Sequence, residues 1–558
     1  MLKGHPRGLI VASLANMGER FGFYTMYAIF VLFIQAKYGF DSTKSGLIWG
    51  IFLFSVYFLP LIGGIIADRF WGYGKTIALG IFVMFLGYIL LAIPLKGDSS
   101  VWIVITALFV IALGTGFFKG NLQVIVGNLY DSPEYSAKRD AAFTIFYMCI
   151  NVGAMFAPTA AEAVNNFVLK SHHFFYDAHI PVLAHNLLNN QLLNPNELLE
   201  LAQKQDPSVT LDTLRTFAEN YINILSKSYH YGFGVACLSL IISAIIFFGY
   251  KKYYKDADVT EKQKASNENT KHQVIELSPE ETKKRIMALI LVFIVVIFFW
   301  MSFHQNGLTM TYFARDYTVS SVNQVTNLWF DLFALLPIGL AVLGLVLLVR
   351  KASEVKTRII GLIFFVGFSI LAYLKYMSFS DSNPFTPQKF QHFNPFFIVA
   401  LTPIILGVFA WMRKKGFEPS SPKKIGIGMI LTAIGFTILI FGSIGLPSPK
   451  MIGEKVSDVL VSPYWLISTY FILTVAELFL SPIGISFVSK VSPPKYKGLM
   501  QGGWLAATSI GSLLVGVIGV FWHIVPLYLF WALLVICCVL SASFIFFMLK
   551  RLEKATQG

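Results

Sequence analysis

Glu19 and Arg20 stand next to each other in the middle of the first long apolar stretch, Gly8 to Gln35. Ionised side chains at bilayer depth are costly, so they face a protein interior or a water-filled cavity. Asn16, Glu19, Arg20, Phe23, Tyr24 and Tyr27 recur at helical offsets and therefore share one face of one helix. A stripe of amide, carboxylate, guanidinium and phenols has no use against lipid. It reads as one wall of a polar pathway. Arg20 offers a planar fork matched to a carboxylate, and Lys119, also within an apolar run, offers a point charge.

The elements that must position these groups follow from composition. Hydrophobic residues are 56% of the 558, aromatics 15% and charged residues 13%, where a soluble chain carries about 25% charged residues. Apolar runs of spanning length fall near 8–36, 45–68, 76–95, 101–126, 141–167, 230–250, 286–312, 325–349, 359–377, 394–412, 424–446, 463–489, 499–521 and 525–549. The sequence therefore predicts an all-α polytopic membrane protein of about fourteen spans. The first apolar run lacks a small-residue cleavage site and is expected to be retained as a span.

The net charge of +14 sits in short loops, among them Arg413, Lys414, Lys415, Lys423 and Lys424, and Arg350, Lys351, Lys356 and Arg358. That is the bias of cytoplasmic loops, not a nucleic-acid surface. With both termini cytoplasmic, every such loop falls on that side. Residues 251–285 are charged and poor in aromatics, as a linker between two bundles would be. They divide the chain into 1–250 and 286–558. Residues 168–229 lie on the opposite side, with helix starts at Pro195–Gln205 and Ser208–Lys227. The cysteines, Cys149, Cys237, Cys537 and Cys538, all lie in apolar stretches, so neither a disulfide framework nor a metal site is expected.

Between the second and third runs, Gly63-Gly64-Ile65-Ile66-Ala67-Asp68-Arg69-Phe70-Trp71-Gly72 resembles the loop signature of the major facilitator superfamily. There Asp68 and Arg69 suit a gating charge latch between helices. Glu19-Arg20-Phe21 with Phe23-Tyr24, Gly114-Thr115-Gly116-Phe117-Phe118-Lys119-Gly120-Asn121, and Arg139-Asp140 leading into Phe143 to Ala154 narrow the resemblance to the proton-dependent oligopeptide transporter family. Asn394-Pro395-Phe396-Phe397-Ile398 and Ala476 to Gly484 are similar to that family's eighth and tenth helices. The resemblance leaves out 168–229 and 325–377. It departs from the family pattern at Asn16 (a glutamate in the family), Phe23 (a tyrosine), Tyr27 (an arginine) and His304 (often a glutamate).

The resemblance implies two six-helix bundles plus an extra helix pair at 325–377, and proton-coupled import of di- and tripeptides by alternating access. A peptide is a zwitterion and needs a cation and an anion across a gap. Arg20 and Lys119 would take its carboxylate and Glu477 its ammonium, with Tyr24, Tyr57, Tyr147 and Asn151 as polar and flat surfaces and Trp504 and Phe303 as side-chain walls. Glu19, reaching Lys119 while ionised, would couple protonation to Arg20 and Lys119, and His304 would stand in for a missing carboxylate. Protons would be the coupling ion, with no cofactor and no metal, in a monomer of the bacterial inner membrane. Against these stand plainer readings: an internal ion pair for Glu19–Arg20, a snorkelling lysine for Lys119, and helix–helix contacts for Glu477, Asn151 and Tyr147. Packing would account for Tyr57, Phe303 and Trp504, and a satisfied interior side chain for His304. Asp331 is expected at an interface with no transport role. A same-fold carrier of another solute, such as nitrate or a modified amino acid, or one with altered proton coupling, is the alternative function. No metal spacing, phosphate-cradling loop or nucleophile elbow points to an enzyme.

Overall fold

The computed structural model describes residues 4–94, 100–136, 138–260, 277–349, 355–453, 455–493 and 496–557. Part of the expected linker (261–276) and the basic residues Arg350 and Lys351 lie outside them, as does the side chain of Asp140. Among the described residues fourteen helices are long and apolar enough to cross a membrane. In order they are Arg7–Tyr38, Ser42–Trp71, Tyr73–Ala92, Ser100–Asn128, Ala141–Ser171, Leu214–Gly249, Pro279–Asp316, Leu332–Val349, Val355–Met377, Pro387–Lys414, Ser421–Gly442, Tyr464–Val491, Leu499–His523 and Leu527–Phe547, hereafter spans one to fourteen. The protein is an integral membrane protein. The side that carries the loop between spans ten and eleven, with Arg413, Lys414, Lys415, Lys423 and Lys424, is called the basic side. The segment between spans five and six lies on the other, the insert side.

Spans one to six pack as one bundle, in which span one touches five and six, and span four touches two and three. In the second bundle span eleven packs on twelve and fourteen, seven on thirteen, and ten on twelve. Spans eight and nine pack on each other and meet the rest through a small cluster of Met155, Leu332 and Leu335 with Phe156, Trp329 and Phe396. Span one is the least apolar of the fourteen, yet 78% of its most apolar window is buried, against 6% for span nine. Glu19 and Arg20 are accordingly enclosed by protein and not by lipid.

Spans two and seven start on side-chain caps. Asp41 accepts from the Lys44 amide at 2.7 Å at the start of span two, and Ser278 accepts from the Glu281 amide at 3.2 Å ahead of Pro279 in span seven. Three expected boundaries are corrected. Span six begins at Leu214 and not near 230, because periodic apolar residues (Leu214, Phe217, Tyr221, Ile222 and Leu225) continue the helix without a breaker. Ser208–Thr213 is a turn held by Asp206, not a helix start. The insert is therefore shorter than 168–229, running from His172 to Thr213, with helices Ile180–Leu188 and Pro195–Gln205. The first extra span begins at Leu332 and not at 325. A short helix, Gln324–Phe330, ends at Asp331, whose carboxylate accepts from the Phe333 amide at 2.8 Å and pairs with Lys375 at 3.0 Å.

The bundles meet most closely where span two crosses span thirteen. A Cβ at Gly50 would lie 2.9 Å from the Leu513 carbonyl and 3.0 Å from the Gly516 nitrogen, so only glycine permits this approach. Polar contacts across the seam gather toward the insert side: Arg315 Nη1 donates to Gln35 Oε1 at 2.5 Å, the Tyr312 hydroxyl donates to the Ser42 carbonyl at 3.3 Å, and Lys389 pairs with Glu162 at 2.8 Å.

On the basic side, Glu418 receives Arg413 Nε at 2.6 Å and Lys424 Nζ at 2.5 Å. The hydrogen bond from Arg413 comes first in holding its carboxyl down from the ordinary 4.5 to about 2. A carboxylate depressed in the folded state stabilises above its unfolded value and stops doing so as pH falls through its folded one. Glu418→Gln is expected to lower the unfolding temperature in detergent at pH 7, and this deficit should shrink steadily between pH 4.5 and pH 2. A deficit independent of pH would contradict the assignment.

Candidate functional site

Both nitrogens of one edge of Arg20 meet both oxygens of Glu19: Nε donates to Oε2 at 2.5 Å and Nη2 to Oε1 at 2.6 Å. The pair is 3% and 1% exposed, and the guanidinium carbon lies 4.6 Å from the centre of the Phe23 ring. The expected reach of Glu19 to Lys119 is not what the structure has, because the fork of Arg20 occupies both oxygens. Instead Lys119 Nζ lies 4.4 Å from the centre of the Tyr57 ring and makes no hydrogen bond or ion pair among the described residues. It stays within Coulombic reach of Arg20 and Glu19. A cation on an aromatic face, with nothing else holding it, is free to follow a change in the neighbouring pair.

From the other bundle comes Glu477 of span twelve, 6% exposed. Tyr147 of span five donates its hydroxyl to Oε1 at 3.2 Å, and Asn394 of span ten donates Nδ2 to Oε2 at 2.9 Å. Tyr24, only partly buried, lies within Coulombic reach of both Arg20 and Glu477, and so does Tyr57. Groups of opposite charge from the two bundles thus both act electrostatically on these phenols. Asn151 turns back on its own helix, donating to the Tyr147 carbonyl at 2.9 Å, which steadies the turn bearing Tyr147.

His304 stacks on Trp300 and on Tyr57, centroids 4.8 and 5.4 Å away, with Nδ1 3.0 Å from the Ser512 hydroxyl. Phe303 stacks on Phe299 and Trp504 packs on Gly484 within the second bundle. Both side chains are buried, Phe303 at 5% and Trp504 at 4% exposure. Asp68 and Arg69 are exposed. Asp68 accepts the Tyr73 hydroxyl at 2.5 Å, and neither residue forms an ion pair among the described residues. The expected charge latch is therefore not closed in this conformation. Among the described residues no three His, Cys, Asp or Glu side chains gather as metal ligands.

One node went unread in the sequence. Span seven is helical over Pro279–Phe303 and Thr309–Asp316, with His304–Gly307 wound more tightly and Leu308 outside helical dihedrals. The interruption frees backbone carbonyls, which must be satisfied inside a membrane. The Asn306 carbonyl receives Gln391 Nε2 at 2.8 Å and the Tyr470 hydroxyl at 3.2 Å, while its side-chain Oδ1 receives the Tyr27 hydroxyl at 2.8 Å. The tie from Tyr27 joins the bundles two helical turns from Arg20. A glycine inside an apolar run, Gly307, was the available signal; a Cβ there would meet the Tyr27 ring at 2.6 Å. Tyr27→Phe leaves Asn306 Oδ1 without this donor and is expected to cost about 1–2 kcal/mol. Thermal unfolding of the purified protein reads this, and an unchanged midpoint would contradict it.

Comparison with known proteins follows this geometry. A family model described as "POT family" matches residues 74–271 and 369–525, well over half of the chain. The matched region runs through 168–229, which the motif-based resemblance left out, and excludes residues 1–73, which carry Glu19 and Arg20. The chain is 26% identical over 526 residues to the peptide transporter YePEPT of Yersinia enterocolitica, covering 92% of this chain and 88% of the relative. It is 28% identical over 541 residues to the uncharacterized transporter YclF of Bacillus subtilis, with the same coverages. Among solved structures, a POT family transporter in complex with a thioalcohol-conjugated peptide superposes with a TM-score of 0.67 at 18% identity, covering 99% of this chain and 98% of that one. The fold is accordingly that of the major facilitator superfamily, two six-helix bundles with two additional spans.

Proposed function

The chain belongs to the POT family, and from that premise we propose that it is a symporter that takes up di- and tripeptides with protons by alternating access. The observation that carries this reading is Glu477, a buried carboxylate of one bundle bonded to Tyr147 of the other and sharing the phenol Tyr24 with Arg20. A zwitterion lying along Tyr24 and Tyr57 has its carboxylate toward Arg20 and Lys119 and its ammonium toward Glu477.

Coupling follows from the Glu19–Arg20 pair. While ionised, Glu19 holds the fork that a peptide carboxylate needs. Protonation weakens both hydrogen bonds and releases Arg20 to substrate. One proton entering across about 100 mV contributes roughly 2.3 kcal/mol, enough to concentrate a neutral zwitterion more than tenfold. Closure of the seam toward the insert side supports one of the two states that alternating access requires. Asp68 and Arg69 are assigned to gating on the basic side, and His304 to shaping the site beside Tyr57. By the positive-inside bias, that side and both termini are cytoplasmic in a bacterial inner membrane, and one chain suffices for transport.

The test is uptake by proteoliposomes. A labelled dipeptide is expected to accumulate under an inward proton gradient and to be displaced by unlabelled di- and tripeptides, but not by nitrate or free amino acids. Accumulation unaffected by a protonophore would overturn the coupling, and displacement by nitrate alone would overturn the substrate.

A further inference from the structure

The insert between spans five and six closes a circuit that includes both bundles. Its His185 ring nitrogen Nε2 lies 2.8 Å from the Ala36 carbonyl at the end of span one. From the neighbouring Gln35 the circuit passes to Arg315, whose guanidinium is also bonded to Asp316 at 2.5 and 2.9 Å. The Asp316 carbonyl receives the Ser457 amide at 2.7 Å, so the loop between spans eleven and twelve is drawn onto the end of span seven. Two residues before Ser457, Lys455 pairs with Glu197 of the second insert helix at 2.8 Å, returning the circuit to the insert. A cavity of about 140 Å³ lies inside this ring, lined among others by Gln35, Tyr176, His185, Arg315 and Gly453.

The links differ in strength. Arg315 and Asp316 are buried, 8% and 2% exposed, whereas the side chains of Lys455 and Glu197 are 35% and 43% exposed. An exposed ion pair is the weakest of these contacts, and it is the link at which the insert, attached to the first bundle, meets the loop attached to the second. We propose that the insert is a strap across the seam, holding the insert side shut and releasing at Glu197–Lys455 when that side opens. This rests on the alternating-access reading above. In that cycle a strap of this kind sets the balance between the two states without touching substrate.

Two experiments test it. In the first, a thiol at the cavity wall, Ala178→Cys, is labelled with a soluble maleimide in the native-charge protein. Glu197→Lys and Lys455→Glu, each placing like charges face to face, should raise the labelling rate at least threefold, and the double reversal should restore it. Unchanged rates, or a double variant no slower than the singles, would overturn the strap. In the second, Glu197→Cys and Lys455→Cys are joined by a bis-maleimide with the four native cysteines replaced by serine. Uptake should fall at least tenfold while dipeptide affinity in detergent is unchanged; full uptake by the joined protein would overturn the strap. If the unjoined protein takes up no dipeptide, the transport reading fails, and the labelling experiment still decides the strap.

Discussion

Arg20→Lys is expected to lower dipeptide uptake about 100-fold or more although the positive charge is kept. The guanidinium meets both oxygens of Glu19, at 2.5 and 2.6 Å, in a site where both side chains are almost wholly buried. A lysine ammonium is a point charge that engages one oxygen and cannot reproduce the fork. Losing one of the two charge-assisted hydrogen bonds costs about 1.5–3 kcal/mol, because the oxygen left without its donor lies in a medium that cannot solvate it. In transport that cost falls twice: on Glu19, and on the substrate carboxylate that needs the same fork. Uptake by proteoliposomes and dipeptide binding by calorimetry, with a melting curve to establish folding, measure it. A folded Arg20→Lys protein binding dipeptide at the original affinity would sink the assignment. Glu19→Gln is the informative companion. Net accumulation under a proton gradient should vanish while exchange of labelled for unlabelled dipeptide persists.

The second large effect belongs to Glu477→Gln and depends on the ligand. With Tyr147 and Asn394 as neutral donors to its carboxylate, the negative charge of ionised Glu477 is matched by no cation among the described residues and is open to an ammonium. The substituted amide retains one acceptor and the shape of the side chain but loses that charge. A hydrogen bond between ionised partners contributes about 1.5–3 kcal/mol, so affinity for a dipeptide with a free amino terminus should fall about 10- to 100-fold. The same dipeptide with an acetylated amino terminus has no ammonium, so its affinity should be low in the parent protein and nearly unchanged by the substitution. Equal losses for both ligands would mean that Glu477 is a structural contact between spans five, ten and twelve, and that the ammonium is held elsewhere.

Much of this was legible before any coordinates. The fourteen spans follow from runs of apolar residues, since a bilayer imposes length and composition on whatever crosses it. Glu19, Arg20, Lys119 and Glu477 were legible as candidates because charge at bilayer depth is costly unless something receives it. Boundaries were less legible. Leu214–Tyr229 is polar enough to read as an extramembrane cap, yet it carries no helix breaker and simply lengthens span six. Trp504 and Phe303 read as pocket walls, since an aromatic residue in a span looks the same whether it lines a site or fills a core.

What the sequence determined alone is the class of molecule and the cost of its buried charges, both of which depend on composition summed along one helix. Which charge meets which is a matter of tertiary structure: that Arg20 turns to its neighbour Glu19, that Lys119 rests on Tyr57, and that Tyr147 crosses to Glu477. The break in span seven and its capture by Tyr27, Gln391 and Tyr470 belong there too. A side chain's partner depends on rotamer and on the rotation and tilt of helices far apart in the chain. Hydrogen bonds, including those within ion pairs, lose most of their energy within an ångström or so of stretching, and no pattern along a single helix specifies distances that finely.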